Sequence, residues 1–326
     1  MKNKLVSIVI SAYNEEKNVR EIYQAIKNVF IKDLPDYDYE ILFIDNKSRD
    51  LTRSILRQIC SEDKHVKAIF NIANFGQFNS PFYAMCQCTG DCVVSMCSDF
   101  QDPPEYIPQM VKAWEKGNKV ICMIKTSSKE NPIMYFFRSC YYYLIKKMSN
   151  IEQISHFTGF GLYDISFVKI LAKLNDSTPY IKGIISEYAP DHVEILYVQQ
   201  KRKAGKSKNN FFSLYDYAML SFTSYTKGGL RIATFVGILI SALSFILSMI
   251  YLVMKLLMWD EFIAGNAPAL IGSFFLGGIQ LIFLGLLGEY VMSMNTRVIN
   301  KPLVVEEERL NFETPDDVIS LSNDKL

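Results

Sequence analysis

Two long stretches without a charge decide most of what this chain can fold into. Residues 232–254 run for 23 positions, and residues 262–288 for 27, without Asp, Glu, Lys or Arg. At about 1.5 Å rise per helical residue, each is long enough to span a hydrocarbon core about 30 Å thick. A soluble domain can bury one such helix. Two in succession, joined by the short connector Trp259-Asp260-Glu261, point to a membrane hairpin. Lys227 and Arg231 precede the first run, Arg297 and Lys301 follow the second, and Lys255 is placed where it can snorkel. By the positive-inside rule both ends of the chain then face the cytoplasm. Met1-Lys2-Asn3-Lys4 and the apolar run after it have the outline of a signal peptide. That run is short and continues into Tyr13-Asn14-Glu15-Glu16, which reads better as a first strand and turn.

The rest of the chain has a different character. Within residues 5–125 the runs LVSIVIS, YEILFID, VKAIF, CVVSMC and KVICMI are short and rich in strand formers. Between them lie helical patterns, such as Val19, Ile22, Tyr23, Ile26, Val29 and Phe30 on one face. Strands alternating with helices imply βαβ units and a mainly parallel α/β sheet. The mean hydropathy of +0.08 is therefore an average over two unlike parts.

Charge narrows the partners. The 35 Lys+Arg against 34 Asp+Glu give +1 and no support for a nucleic-acid binder. That near-zero total is a cancellation, because residues 303–326 hold seven acids and two bases and the rest carries +6. Five cations, Lys201, Arg202, Lys203, Lys206 and Lys208, fall within eight residues just before the membrane part. They suit a phosphate, or anionic headgroups at a membrane surface. The segment after them carries Phe211, Phe212, Leu214, Tyr215 and Tyr217, a composition suited to the interface or to packing on the soluble domain. The seven cysteines all precede the membrane part, without a paired C-x-x-C, and are expected to be reduced thiols. His65, His156 and His192 are scattered and are expected to be structural.

Ligands of parallel sheets bind beyond the carboxyl ends of the strands. There the chain places Ser11-Ala12-Tyr13-Asn14-Glu15, Asp45-Asn46-Lys47-Ser48, Asn74-Phe75-Gly76-Gln77 and Cys97-Ser98-Asp99-Phe100-Gln101-Asp102. Each group alone is explained by a helix cap or an Asx turn. On one rim, with neither GxGxxG nor GxxxxGK[ST] in the chain, they point to a nucleotide held by side chains and a metal.

The order SIVISAYNEE, ILFIDNKSRDLT, NFGQ and SDFQDPPE resembles the family 2 glycosyltransferases of GT-A fold. It is most similar to the branch of dolichyl-phosphate mannose synthase and the bacterial polyprenyl-phosphate glycosyltransferases. RKAGKSK resembles that branch's R-x-x-G-x-S-K motif, and the ending GEYVMSMNTRVINKPLVVEE is similar to the bacterial members. The resemblance implies a cytoplasmic GT-A domain over 1–208, with a Rossmann-like, mixed and mainly parallel sheet. Interfacial amphipathic helices over 209–230, transmembrane helices over 231–257 and 264–294, and a cytoplasmic acidic tail over 295–326 complete the layout.

The resemblance also implies roles. Ser11, Tyr13, Glu15, Asp45, Ser98 and Asp99 would hold the nucleotide, and Asp99 with Gln101 would hold Mg²⁺ or Mn²⁺. Arg138, Arg202, Ser207 and Lys208 would bind the lipid phosphate or diphosphate, and Asp99, Arg202 and Lys206 would carry catalysis. The partners would be a nucleotide sugar donor, a polyprenyl phosphate acceptor and the bilayer of a bacterial inner membrane. The bacterial relatives imply a homotetramer.

The chain departs from the pattern at several points. Cys97 stands where the D-x-D-x-Q motif has its first acid, and Asn46 where many relatives have a second Asp. Gly159 and Gly161 replace the polar and Arg positions of G-[DS]-F-R-L. Mg²⁺ is usually held by one or two carboxylates plus substrate phosphates and water, so Asp99 with Gln101 or Asp102 can suffice. A thiol is a poor Mg²⁺ ligand, so Cys97 is expected to pack or to touch the nucleotide. A phosphate acceptor has a second pKa near 6 and needs no general base, which makes Gly159 tolerable. The expected activity is transfer of a hexose, UDP-linked first among the donors, to undecaprenyl phosphate with inversion. Two alternatives stay open: a non-catalytic membrane scaffold with a decayed sugar-nucleotide fold, and a polysaccharide-extending synthase. The latter lacks its expected Q-x-x-R-W signal here.

Overall fold

The computed structural model describes residues 4–126, 154–174, 176–200, 202–203, 215–216, 219–220, 222–224, 228–257, 266–299 and 301–312. The chain divides into two compact units. The first comprises Met1–Ser139, Ile151–Asn210 and Ile299–Leu326, and the second Cys140–Asn150 and Phe211–Val298.

The first unit is built on one sheet. Its strands are β1 (Lys4–Ala12), β2 (Tyr37–Asp45), β3 (Val66–Asn71), β4 (Cys92–Cys97), β5 (Val120–Lys125), β6 (Phe157–Asp164), β7 (Val193–Tyr197) and β8 (Glu306–Leu310). They lie in the order β7-β5-β6-β4-β1-β2-β3-β8. The block β3-β2-β1-β4 is parallel, with Ala12 opposite Asp45 and Ser11 opposite Cys97. Beyond β4, β6 runs antiparallel, and β5 and β7 then return to the original direction. The sheet is thus mixed and mainly parallel, and its first five strands fall on the five runs named from the sequence.

Helices cover both faces, so the strands read as nearly unbroken apolar runs. Ile8, Ile10, Ile41, Phe43 and Phe70 pack toward α1 (Val19–Asp33), α2 (Thr52–Glu62) and α4 (Ile107–Glu115). Val9, Leu42, Ile44 and Ile69 pack on the other face with α3 (Gly76–Met85), α5 (Ile165–Lys173) and α6 (Ile181–Tyr188). The six α1 positions that share a face in the sequence are all buried.

At the far edge, β8 pairs antiparallel with β3, setting Ile69 opposite Arg309 and Phe70 opposite Glu308. The sequence reading leaves these residues in an acidic tail; in the structure three of those acids meet cations. Glu307 pairs with Lys47 at 2.7 Å and Arg53 at 3.1 Å, Glu308 with Arg57 at 2.6 Å, and Glu306 with Arg309. Arg309 also donates to Tyr83 and Gln87, and Asn311 donates to the carbonyls of Cys60 and Val66.

The second unit contains α7 (Gly228–Leu257, 30 residues) and α8 (Asn266–Ile299, 34 residues). Among the described residues, Phe275–Ile299 is the one helical segment long and apolar enough to cross a membrane, and 232–247 is a shorter apolar stretch. The adjacent Leu281 and Ile282 are 69% and 70% exposed, which an aqueous surface would not favour. Where charges resume along α8, they find partners in the segment before α7. Tyr215 donates to Glu289 at 3.1 Å and Arg297 to Ser224 at 2.8 Å.

Candidate active site at the strand ends

The carboxyl ends of β1, β2 and β4 carry the polar residues singled out above, and hydrogen bonds lock their loops together. Asn14, in the left-handed region at φ 56°, donates its N–H to Ser48 and accepts from Arg49 N. Glu15 N–H donates to Thr52 Oγ1 at 2.8 Å. Glu16 and Asp50 tie the same two loops from the outside. Much of the strand-end polarity is therefore structural, but a few buried groups exceed that need.

Asp45 is fully buried. Its Oδ2 accepts from Ser48 N at 3.1 Å and lies 3.3 Å from Arg53 Nε, while Oδ1 has no donor among the described residues. Burial raises its pKa despite Ser48 and Arg53. The next residue, Asn46, is a hub: its Oδ1 accepts from Asn71, Phe75 N and Ser80, joining β2, β3 and α3. An Asp there would accept equally, but it would lose the amide contact to the Gly76 carbonyl and bury another charge.

Arg202 joins the β1 and β4 ends. Its Nη2 donates to Glu15 Oε1 at 2.9 Å, and its Nε lies 2.9 Å from Asp99 Oδ2. Glu15 and Asp99 are both nearly buried. The neighbouring Lys203 N–H donates to the Asp99 carbonyl, and the Lys203 ammonium sits 4.8 Å above the Phe100 ring. Arg202 and Lys203 thus dock on the Asp99 turn, which Gln101 N closes by donating to Asp99 Oδ1. Phe100 takes φ 63° to make that turn.

Asp102 points away from it. It accepts from Cys97 N at 3.0 Å and from the Tyr197 hydroxyl at 3.3 Å, and burial raises its pKa to about 6. Asp99 is therefore the carboxylate offered at the rim, with the Gln101 amide one residue beyond its turn. These are hard oxygen donors of the kind Mg²⁺ and Mn²⁺ take. Among the described residues no cluster of three or more His, Cys, Asp or Glu is placed to hold a metal by itself. Cys97 is exposed, whereas Cys60, Cys86, Cys88, Cys92 and Cys122 are buried free thiols.

Next to this cluster a cavity of about 170 Å³ opens on the face of β4 and β6, walled by α3 and the start of α6 and reached by Ser11, Cys97, Asp102, Gly159 and Lys182. Gly161 departs from the family pattern for a packing reason, since a Cβ there would collide with the Ile121 carbonyl oxygen. Gly159, at φ 103°, faces open space instead. Ser11, Ser98, Glu15, Asp45, Asp99, Gln101 and Arg202 thus gather at one end of the sheet, with Tyr13 in the β1 loop. Arg138, Lys206, Ser207 and Lys208 lie outside the described residues. Asn46 and Asp102 lay within the strand-end motifs but take structural roles, whereas Lys182 sits in no motif that the sequence marked.

The model of glycosyl transferase family 2 matches residues 7–171, from β1 into α5. The uncharacterized glycosyltransferase YkcC of Bacillus subtilis is 29% identical over 311 residues, covering 94% of each chain. The SfII prophage-derived bactoprenol glucosyl transferase of Shigella flexneri is 28% identical over 298 residues, 91% of this chain and 96% of the relative. A solved glucosyl-3-phosphoglycerate synthase from Mycobacterium tuberculosis aligns with TM-score 0.47 and 15% identity, over 68% of this chain and 78% of its own. The family model spans the strands and loops that build the rim, and the chain belongs to glycosyl transferase family 2: it is a glycosyltransferase.

Proposed function

We propose that the protein moves a hexose from a nucleotide diphosphate sugar, with UDP as the first nucleotide to test, to undecaprenyl phosphate. The observation that carries this reading is Arg202, a cation on the strand-end rim that lies on both Glu15 and Asp99. The bactoprenol-acting relatives, at 28% identity over nearly the whole chain, support the acceptor.

The orphaned Asp45 Oδ1 suits an N–H of the base, because a buried acceptor without a donor costs about 1–3 kcal/mol. Ser11, Tyr13 and Ser98 would line the nucleotide. Asp99 and Gln101 would hold a divalent cation, which would neutralise charge on the donor diphosphate. Arg202 would leave its carboxylate partners to meet the phosphates, with Arg138, Lys206, Ser207 and Lys208 as further phosphate contacts. Transfer follows as an acceptor phosphate oxygen attacks the anomeric carbon and its bond to the leaving diphosphate breaks, inverting the centre. The acceptor is already anionic, so the absence of a side chain at Gly159 leaves no proton step undone.

The apolar exposure of α8 supports a place in a bacterial inner membrane, with α7 as the second span and the catalytic unit cytoplasmic. The test is the full chain in detergent with undecaprenyl phosphate, Mg²⁺ or Mn²⁺ and a panel of nucleotide sugars. Mass spectrometry should find a lipid-linked sugar phosphate and an equal release of nucleoside diphosphate. A chain that releases no nucleotide and forms no glycolipid with any donor overturns the reading.

A further inference from the structure

The cavity on the face of β4 and β6 holds a cation that has no ion-pair partner among the described residues. Lys182 lies in the first turn of α6 and lines the cavity with Ser11, Cys97, Asp102, Thr158 and Gly159. No carboxylate lies within ion-pair distance of its ammonium, and no acceptor bonds it among the described residues. Three other polar groups of this wall already have partners. Asp102 is held by Cys97 N and the Tyr197 hydroxyl, the Tyr163 hydroxyl donates to the Gly159 carbonyl, and Thr158 faces the Tyr197 hydroxyl at 3.4 Å. Burial, with Lys125 as the nearest like charge, lowers the Lys182 pKa to about 8.

Lys182 is half-buried, so its ammonium is partly stripped of water and remains within reach of an incoming anion, which would favour its charged form. The space for one is beside it, because Gly159 contributes no side chain and a Cβ there would touch nothing within 4 Å. The cavity is bounded by Ser11 and Cys97, the last pair of the β1–β4 ladder, so it adjoins the rim occupied by Glu15, Asp99 and Arg202. Arg202, on Glu15 and Asp99, and Lys182, within the cavity, are therefore separate cationic places.

We propose that Lys182 binds a phosphate group in this cavity, and that this is the phosphate of the acceptor lipid rather than the donor diphosphate. The acceptor assignment rests on the function proposed above; the anion site itself does not. Three spare protons on a point charge suit a phosphate oxygen that must stay free to turn toward the anomeric carbon.

The experiment compares Lys182→Gln, Lys182→Arg and the unaltered full chain in detergent, by calorimetric titration with farnesyl phosphate, inorganic phosphate and UDP. Loss of a charged hydrogen bond predicts about tenfold weaker farnesyl phosphate binding by K182Q, with UDP affinity within about twofold and recovery in K182R. In turnover assays the KM for undecaprenyl phosphate should rise while that for the donor stays level. Weakening confined to UDP would assign the cation to the donor and overturn the proposal, as would unchanged binding of all three. The farnesyl phosphate titration needs no turnover, so it reads the anion site even if no donor sugar is found. Retained UDP affinity also reports that K182Q is folded.

Discussion

Arg202 and Asp99 form an ion pair, Nε to Oδ2 at 2.9 Å, that spans the domain in sequence and closes the rim in space. The same guanidinium holds Glu15. A cation that sits on the acidic residues before the donor arrives keeps them from repelling each other, and it competes with any metal for Asp99. Arg202→Ala should therefore lower kcat/KM for transfer by about 100-fold, the scale of a lost preorganised cation. Mn²⁺ binding without nucleotide, followed by electron paramagnetic resonance, should be unweakened. Parallel loss of metal binding would show that Arg202 only maintains the fold of the turn.

Asp45 is expected to trade stability for binding. Its folded pKa is raised by burial, so its contribution to stability is present at low pH and is lost as pH rises through that pKa. Asp45→Asn removes the buried charge, leaves Arg53 its pairing with Glu307, and should melt higher than the parent at neutral pH. Its affinity for UDP should fall about tenfold, because the base N–H loses a charged acceptor. Calorimetry gives both numbers, and a variant that melts lower while binding UDP normally would contradict the assignment.

Cys97 is exposed at the end of β4, two residues from Asp99. Cys97→Asp supplies a second carboxylate to the turn and should reduce the Mg²⁺ needed for half-maximal transfer by about fivefold or more. An unchanged metal requirement would place the cation away from this turn.

The two glycines of β6 should respond in opposite measure. Gly161→Ala pushes a methyl group into the Ile121 carbonyl and should leave little folded protein. Gly159→Ala has room and pays only for its positive φ, about 1–2 kcal/mol. Urea unfolding of the two variants separates these outcomes.

Glu307 links β8 to the strand-end rim through Arg53, which in turn faces Asp45. The pair is partly exposed, so the effect is modest: Glu307→Gln should raise the donor KM about two- to fivefold with kcat nearly unchanged. Faster amide exchange in the β2–α2 loop should accompany it. An unaltered donor KM would reduce the clasp to a purely structural contact.

Much of the catalytic sheet is legible in the sequence because apolar runs on doubly covered strands are continuous and separated by helical periods. The strand-end motifs survive for the same reason: each follows its strand directly. What escapes is non-local. Glu306–Leu310 reads as a charged tail because three consecutive acids show no alternation, and only the basic α2 and the free β3 edge make it a strand. Lys182 escapes because no motif surrounds it, and the cavity that gives it meaning is assembled from β1, β4, β6 and α6. Asn46 looked like a lost acid and is a junction.

The pairing of β8 with β3 also constrains how the chain meets a lipid bilayer. The catalytic strands precede α7 and α8, β8 follows them, and all of these strands belong to one sheet. A chain that leaves a sheet and comes back to it must re-emerge on the side from which it left. Any passage through a bilayer between residues 210 and 299 would therefore have to be matched by a return. If α8 is one passage through a bilayer, the parity of the path requires a second, and α7, with its uncharged core, is the helix available to supply it.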